Sequence, residues 1–320
     1  MKGKYYITVQ NKKLRYELEV KRNITIIRGD SATGKTTLIE MLESAANLGE
    51  SSGIEVICER PCRVLRGNDW ELLLSNLHEQ ILFLDEECRF VKSREFAAAV
   101  RKSDNYFVII TREDLPNLPY AVDEIYGIHT SGKYHDLKRT YNEMYRIYST
   151  EELKNSITPE EIIVEDSNSG FDFFKKICCN NGIQCISAKG KSNLKNTAKQ
   201  SDFKNVLIVA DGAAIGSEMN ELYQLMKSRP NIKCYLPESF EWIILRSGMI
   251  DGNYVQEVLN SPEDYIESSK YFSWERYFTA LLITCTKDSY LTYSKSGLND
   301  NYLHGKIKDA ILDVMKSIKL

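Results

Sequence analysis

Residues 29 to 36 read Gly29-Asp30-Ser31-Ala32-Thr33-Gly34-Lys35-Thr36 and complete the pattern G-x-x-x-x-G-K-[ST]. The context is the one this pattern needs. Asn23 to Ile27 before it is a short β-branched run, as a buried parallel strand shows, and Thr36 to Ala46 after it carries Leu38, Met41, Leu42 and Ala45 at helical spacing. Glycines let the backbone turn so tightly that successive N–H groups converge on phosphate oxygens, while the following helix points its positive end at them. On this reading Gly29, Asp30, Ser31, Ala32, Thr33, Gly34, Lys35, Thr36 and Thr37 form a nucleotide cradle. Lys35 bridges the terminal phosphates, and the Thr36 hydroxyl is a ligand of Mg²⁺.

Such a loop needs a carboxylate on the metal side. Ile81-Leu82-Phe83-Leu84-Asp85-Glu86 is four apolar residues ending in two acids, so a buried strand would deliver Asp85 to the carboxyl edge of a sheet beside the loop. Asp85 then holds Mg²⁺, and Glu86 is placed to orient or deprotonate the attacking water. The strand after it ends in Ile110-Thr111-Arg112, where Thr111 has either a phosphate-sensing role or ordinary strand-end polarity. The acid pair resembles the Walker B motif of the additional-strand P-loop ATPases. More broadly, residues 1 to 135 resemble a stripped ABC or SMC-like ATPase core, with an amino-terminal hairpin (Tyr5 to Val9 and Leu14 to Val20) leading into the loop strand. They depart from it in having no Leu-Ser-Gly-Gly-Gln-like signature and no helical arm between Thr36 and Asp85. There is no Asn-Lys-x-Asp element, which weakens a GTPase reading and leaves adenine against guanine open.

Strands alternating with helices predict an α/β protein whose first domain, residues 1 to 150, has a mostly parallel sheet covered on both faces. Residues 142 to 161 show no strand pattern, and Ser149-Thr150-Glu151-Glu152 reads as linker or helix-start chemistry. A second alternating series begins at Glu161 and ends in a helical tail, giving a second α/β domain over 151 to 320. Its strand at 161 to 165 ends in Glu165-Asp166, and its strand at 205 to 210 ends in Asp211-Gly212-Ala213. In a parallel sheet both ends lie on one edge, so Glu165 and Asp211 can converge on a divalent cation, with Asp166, Glu218 or Glu241 as further ligands.

Over residues 160 to 245 this series resembles a Toprim domain: an acid after the first strand, the Gly190-Lys191-Ser192 turn after the second, and an Asp-x-Asp-type motif after the third. Leu236-Pro237-Glu238-Ser239-Phe240-Glu241 is similar to the element that follows the fourth strand in OLD-family nucleases, which also join an ATPase to a Toprim domain. Ala213 stands where the second aspartate would be, and that loss weakens a two-metal cleavage mechanism. The resemblance implies an ATP-binding and ATP-hydrolysing protein coupled to a nucleic-acid-handling domain, in antiviral defence or mobile-element biology. The alternative is a nucleotide-gated regulatory module whose second domain is inactive and binds a partner protein or a second copy.

Composition bounds these readings. The chain has 320 residues, 42 Lys+Arg and 45 Asp+Glu, a net charge of −3. Residues 1 to 150 carry 22 basic and 22 acidic side chains and residues 151 to 320 carry 20 and 23, so the half expected to meet nucleic acid is the more acidic one. Its electrostatic handle is Lys189, Lys191, Lys195 and Lys199, a helical stripe that either follows DNA phosphates or forms a solvated face. Apolar runs fall far short of the roughly 20 residues of a membrane span, and the amino terminus shows no signal-peptide pattern, so a cytoplasmic location is expected. The eight cysteines form no Cys-x-x-Cys pair and read as small core residues, with no zinc site.

Overall fold

Alternation starts the chain's structure. In β1 (Tyr5–Gln10) and β2 (Leu14–Val20) every second side chain is buried, and the pair runs antiparallel from Tyr5↔Val20 to Gln10↔Arg15. Asn11 makes the turn, its side-chain oxygen accepting from the amides of Lys13 and Leu14 at 2.8 Å each. The four residues of β3 (Ile24–Ile27) are all buried. After it come α1 (Lys35–Leu48), β4 (Glu55–Ile57), β5 (Cys62–Val64), α2 (Trp70–Ser75), β6 (Ile81–Leu84), α3 (Arg94–Lys102), β7 (Tyr106–Ile110), β8 (Ile125–Ser131) and β9 (Thr140–Arg146). The computed structural model describes residues 1–29, 34–131, 140–148, 157–250 and 252–320. Asp30, Ser31, Ala32, Thr33 and the linker Ser149-Thr150-Glu151-Glu152 lie outside the described residues.

These nine strands form one sheet in the order β4-β1-β2-β9-β8-β3-β7-β6-β5. From β8 to β5 every pairing is parallel, while β1 pairs antiparallel with both β2 and β4, and β8 with β9. The sheet is therefore mixed, and the mostly parallel expectation holds for its β8-β3-β7-β6-β5 half. Thr140–Arg146 also corrects the reading of 142 onward as strandless. Its inward residues include Asn142 and half-buried Met144 in place of Val or Ile, so the period of two is carried by atypical side chains.

The edge strands β4 and β5 are consecutive in the chain, separated only by residues 58–61. Laid flat, nine strands would hold the edges about 38 Å apart, whereas five Cα-to-Cα steps reach at most about 18 Å. The sheet must curl, and α1 lies in the curl against β1, β4 and β5. Leu38, Ile39, Met41 and Leu42 of α1 pack there with Ile7, Val9, Ile27, Phe83 and Val108.

The chain divides into two compact units, Met1–Tyr148 with Ser261–Ser273, and Ser149–Asn260 with Trp274–Leu320. The second unit has a four-stranded, all-parallel sheet of β10 (Glu161–Val164), β11 (Gln184–Ser187), β12 (Val206–Val209) and β13 (Ile232–Tyr235) in the order β11-β10-β12-β13. Its crossovers are α4 (Ser169–Asn180), α5 (Leu194–Lys199) and α6 (Met219–Ser228); α7 (Phe240–Arg246), α8 (Asn253–Asn260), α9 (Trp274–Thr286) and α10 (Gly305–Val314) follow. The molecule is thus α/β throughout. Among the described residues no helix is long and apolar enough to cross a membrane.

Candidate functional site

In the first unit, β7 lies between β3 and β6. The three parallel strands deliver Gly29, Thr111 and Asp85 to one edge, because Ile27 pairs with Ile110 and Leu84 with Ile109. Gly29 leaves β3 with φ +142°, and Gly34 enters α1 left-handed at φ +78°. A Cβ on Gly34 would stand 2.6 Å from the Tyr16 hydroxyl, which donates to the Gly34 carbonyl at 2.8 Å and is hydrogen-bonded to Thr37. Lys35 is buried, its ammonium donating to the Gly29 carbonyl at 2.7 Å and so tying the two ends of the loop. Thr36 is exposed. No acid occupies the first turn of α1, so the positive end of a 14-residue helix is not neutralised there. These features suit a phosphate group.

The two acids after β6 are both held by arginines. Arg66, from the turn after β5, pairs with Asp85 and also with Glu43 of α1 at 2.9 Å. Asp85 is mostly buried and also accepts from the Glu87 amide at 3.0 Å. The exposed Glu86 accepts from Arg112 at 3.0 Å. Thr111 is buried and its hydroxyl accepts from the Glu113 amide at 3.0 Å, which matches the strand-end reading of this residue. Arg66 and Tyr16 gave no signal in the sequence: they come from 19 residues before Asp85 and 18 before Gly34, and tertiary pairing brings them in, Arg66 through the parallel β5–β6 register that sets Val64 opposite Phe83, Tyr16 through its hydroxyl on the Gly34 carbonyl.

In the second unit, β10 and β12 are neighbours with Val164 opposite Val209, so Glu165 and Asp211 leave the sheet side by side. The Asp211 amide donates to Glu165 Oε2 at 3.1 Å. Burial, against that amide, pushes the Glu165 carboxyl up to about 7. Burial and then the charges of Glu275, Glu165 and Glu241 lift Asp211 well above the carboxylate range.

Glu241, at the start of α7, is almost fully buried and accepts from the Tyr293 hydroxyl at 2.9 Å. Into this group of acids comes Lys295. Its ammonium pairs with Glu275 and lies 3.8 Å from Glu241. Burial works against its charge, but Glu241, Glu275 and Asp211 outweigh that and raise its pKa.

Among the described residues, no three His, Cys, Asp or Glu side chains are gathered so that they could hold a metal ion. An ammonium stands among these acids instead. Asp166 accepts from the Asn168 side-chain amide at 2.5 Å and lines the same cavity as Glu165, Asp211, Glu241 and Lys295, whereas Glu218 is turned to Ser217 and Lys191, so of the further ligands expected Glu241 and Asp166 reach the group. Lys295, Tyr293 and Glu275 were missed because they sit 84, 82 and 64 residues beyond Asp211 in the helical tail.

The lysine stripe is likewise changed by its neighbours. Lys191 belongs to a single 3₁₀ turn ahead of the shorter α5. It donates to Ser217 at 2.9 Å and pairs with Glu218 at 3.4 Å, while Lys195 pairs with Glu221 of α6 at 2.9 Å. Lys189 and Lys199 are exposed. Half of the stripe is thus neutralised by the next crossover.

Comparison with known protein families finds none that matches this chain, and no curated protein matches it.

Proposed function

We propose that the first unit binds ATP with Mg²⁺ and hydrolyses it. The observation that carries this reading is the strand order β3-β7-β6, which sets Gly34-Lys35-Thr36, Thr111 and Asp85-Glu86 on one edge of three adjacent parallel strands. Lys35 and the amino end of α1 supply positive charge for the phosphates. Thr36 and Asp85 would hold Mg²⁺, whose chemistry is to neutralise charge on the phosphate oxygens. Glu86 orients the attacking water and takes its proton, once Arg112 no longer holds it. Calorimetry with Mg²⁺ and each nucleoside triphosphate, together with phosphate release, tests this. Lys35→Ala should weaken ATP binding at least about tenfold, roughly 1.4 kcal/mol. Glu86→Gln should bind ATP and release phosphate about 100-fold more slowly. Absence of nucleotide binding by the wild-type chain would overturn the reading.

For the second unit, Lys295 favours the regulatory alternative: a Toprim-like domain whose acids are satisfied internally and which binds a partner in place of cutting nucleic acid. A cleavage assay on plasmid and single-stranded DNA with Mg²⁺ or Mn²⁺, with and without ATP, decides it. Cutting by the wild type that Asp211→Ala abolishes would sink this alternative and restore the nuclease reading.

A further inference from the structure

At the sheet edge that carries the loop and the acid pair, both carboxylate oxygens of Asp85 are already engaged. Oδ1 accepts from the Glu87 amide at 3.0 Å and from the Cys88 thiol at 3.5 Å. Oδ2 accepts from Nη2 of Arg66. The parallel register of β5 on β6 puts the arginine there: the Leu65 amide donates to the Phe83 carbonyl at 2.9 Å, so the residue after it leaves the sheet beside Asp85. The other arm of Arg66, Nη1, lies 2.9 Å from Glu43, about two turns into α1. One guanidinium thus serves two acids, one on the helix that starts at the loop and one at the end of β6. Its Nε is buried and has no hydrogen-bond partner among the described residues, so the fork is not fully satisfied where it stands.

Resting on the nucleotide reading above, we propose that Arg66 guards the cation position: it covers Asp85 Oδ2 while no nucleotide is bound and yields that oxygen to Mg²⁺ brought in with ATP, staying paired with Glu43. A guanidinium N–H and a cation need the same lone pairs of Oδ2, and those of Oδ1 are already engaged. Asp85 is mostly buried, and a buried carboxylate without a counter-charge is costly. Arg66 supplies that charge before loading, and the cation supplies it afterwards. Letting go of Asp85 still leaves the arginine charge-paired, because Glu43 holds its other arm. Arg66 therefore acts through Asp85, as a positioning residue. Its two acids compete for one group, so loosening either strengthens the hold of the other. Removing the arginine should ease entry of the cation, and neutralising Glu43 should hinder it. A merely structural role would move both variants the same way.

Calorimetry of ATP binding to the full-length wild type, Arg66→Gln and Glu43→Gln, each with Mg²⁺ and with EDTA, reads the factor by which Mg²⁺ tightens binding. Arg66 is about one-third exposed, so the shifts should be those of a partly screened ion pair. The factor should rise about three- to fivefold in Arg66→Gln and fall by a similar amount in Glu43→Gln. Thermal unfolding without nucleotide checks that both variants fold, and because each carries its own sign, either one is decisive without the other. A lower factor in Arg66→Gln would mean that the arginine helps to present Asp85 to the cation, and would overturn the guard. Shifts of the same sign in the two variants would overturn it as well. ATP binding with an unchanged factor in both would sink the guard and leave the nucleotide reading standing, whereas a wild type that binds no ATP under either condition would sink both.

Discussion

Gly34 and Lys295 show how single residues set the two sites. Gly34 is held left-handed, and the Tyr16 hydroxyl fills the space a Cβ would need. Gly34→Ala should destabilise the first unit by about 2 kcal/mol, from backbone strain and from the clash. Adding Tyr16→Phe should recover only the clash part, as urea unfolding of the single and double variants will read; full recovery would mean that the backbone is not strained. Lys295 neutralises acids that burial makes costly. Because it is about one-third exposed, Lys295→Ala should cost about 1–3 kcal/mol, less than a fully buried pair. It should also make the chain responsive to Mn²⁺: the melting temperature of Lys295→Ala should rise with the ion and that of the wild type should not. The turn from Gly29 to Thr36 was legible in the sequence because its pattern is local, a fixed spacing on one stretch of chain. Lys295 was not, since its partners are assembled from β10, β12, α7 and α9.

At the scale of elements, β7 depends on the helices packed on it. Phe96 of α3 is fully buried, edge-on to Phe107 of β7 at 5.8 Å and to Trp70 of α2 at 5.5 Å, while Trp70 stacks on Phe90 at 4.8 Å. Phe96→Ala should cost about 3–5 kcal/mol in urea unfolding. Glu124, just before β8, couples the sheet to pH. It is buried beside Arg22, and burial, against the attraction of Arg22 and Lys21, lifts its carboxyl from 4.5 to about 7. The folded chain thus holds this proton more tightly than the unfolded one. The contribution to stability is whole below pH 4.5 and is lost as the pH rises through about 7. Stability of the wild type measured against Glu124→Gln should fall by about 2–3 kcal/mol over that interval; parallel pH profiles would refute it. The strands β3, β6 and β7 were readable as continuous apolar runs because both of their faces are covered. β9 was not, since Asn142 and Met144 carry its inward face.

For the whole molecule, the path of the chain matters more than the order of its elements. Ser261–Ser273 packs with the first unit although more than 100 residues of the second precede it. The Gly3 amide donates to the Glu263 carbonyl at 2.6 Å and the Asn23 side chain to that of Phe272 at 2.9 Å, with Arg101 over the Phe272 ring at 5.0 Å. Phe272→Ala should therefore lower hydrogen-exchange protection in β1 and β3 and leave β10 and β12 unchanged; loss in the second unit would contradict this path. The aromatic run from Tyr271 to Phe278 is shared out: Phe272 is buried in the first unit, Trp274, Tyr277 and Phe278 in the second. By itself the sequence determined the α/β class, the loop between β3 and α1, and which strands end in acids, because period, turn chemistry and motif spacing act between near neighbours. Only the tertiary structure decided that β7 stands between β3 and β6, that arginines hold Asp85 and Glu86, and that a lysine stands among the second unit's acids. Those pairings are made across tens of residues, and their energies depend on burial and distance, which no local pattern encodes.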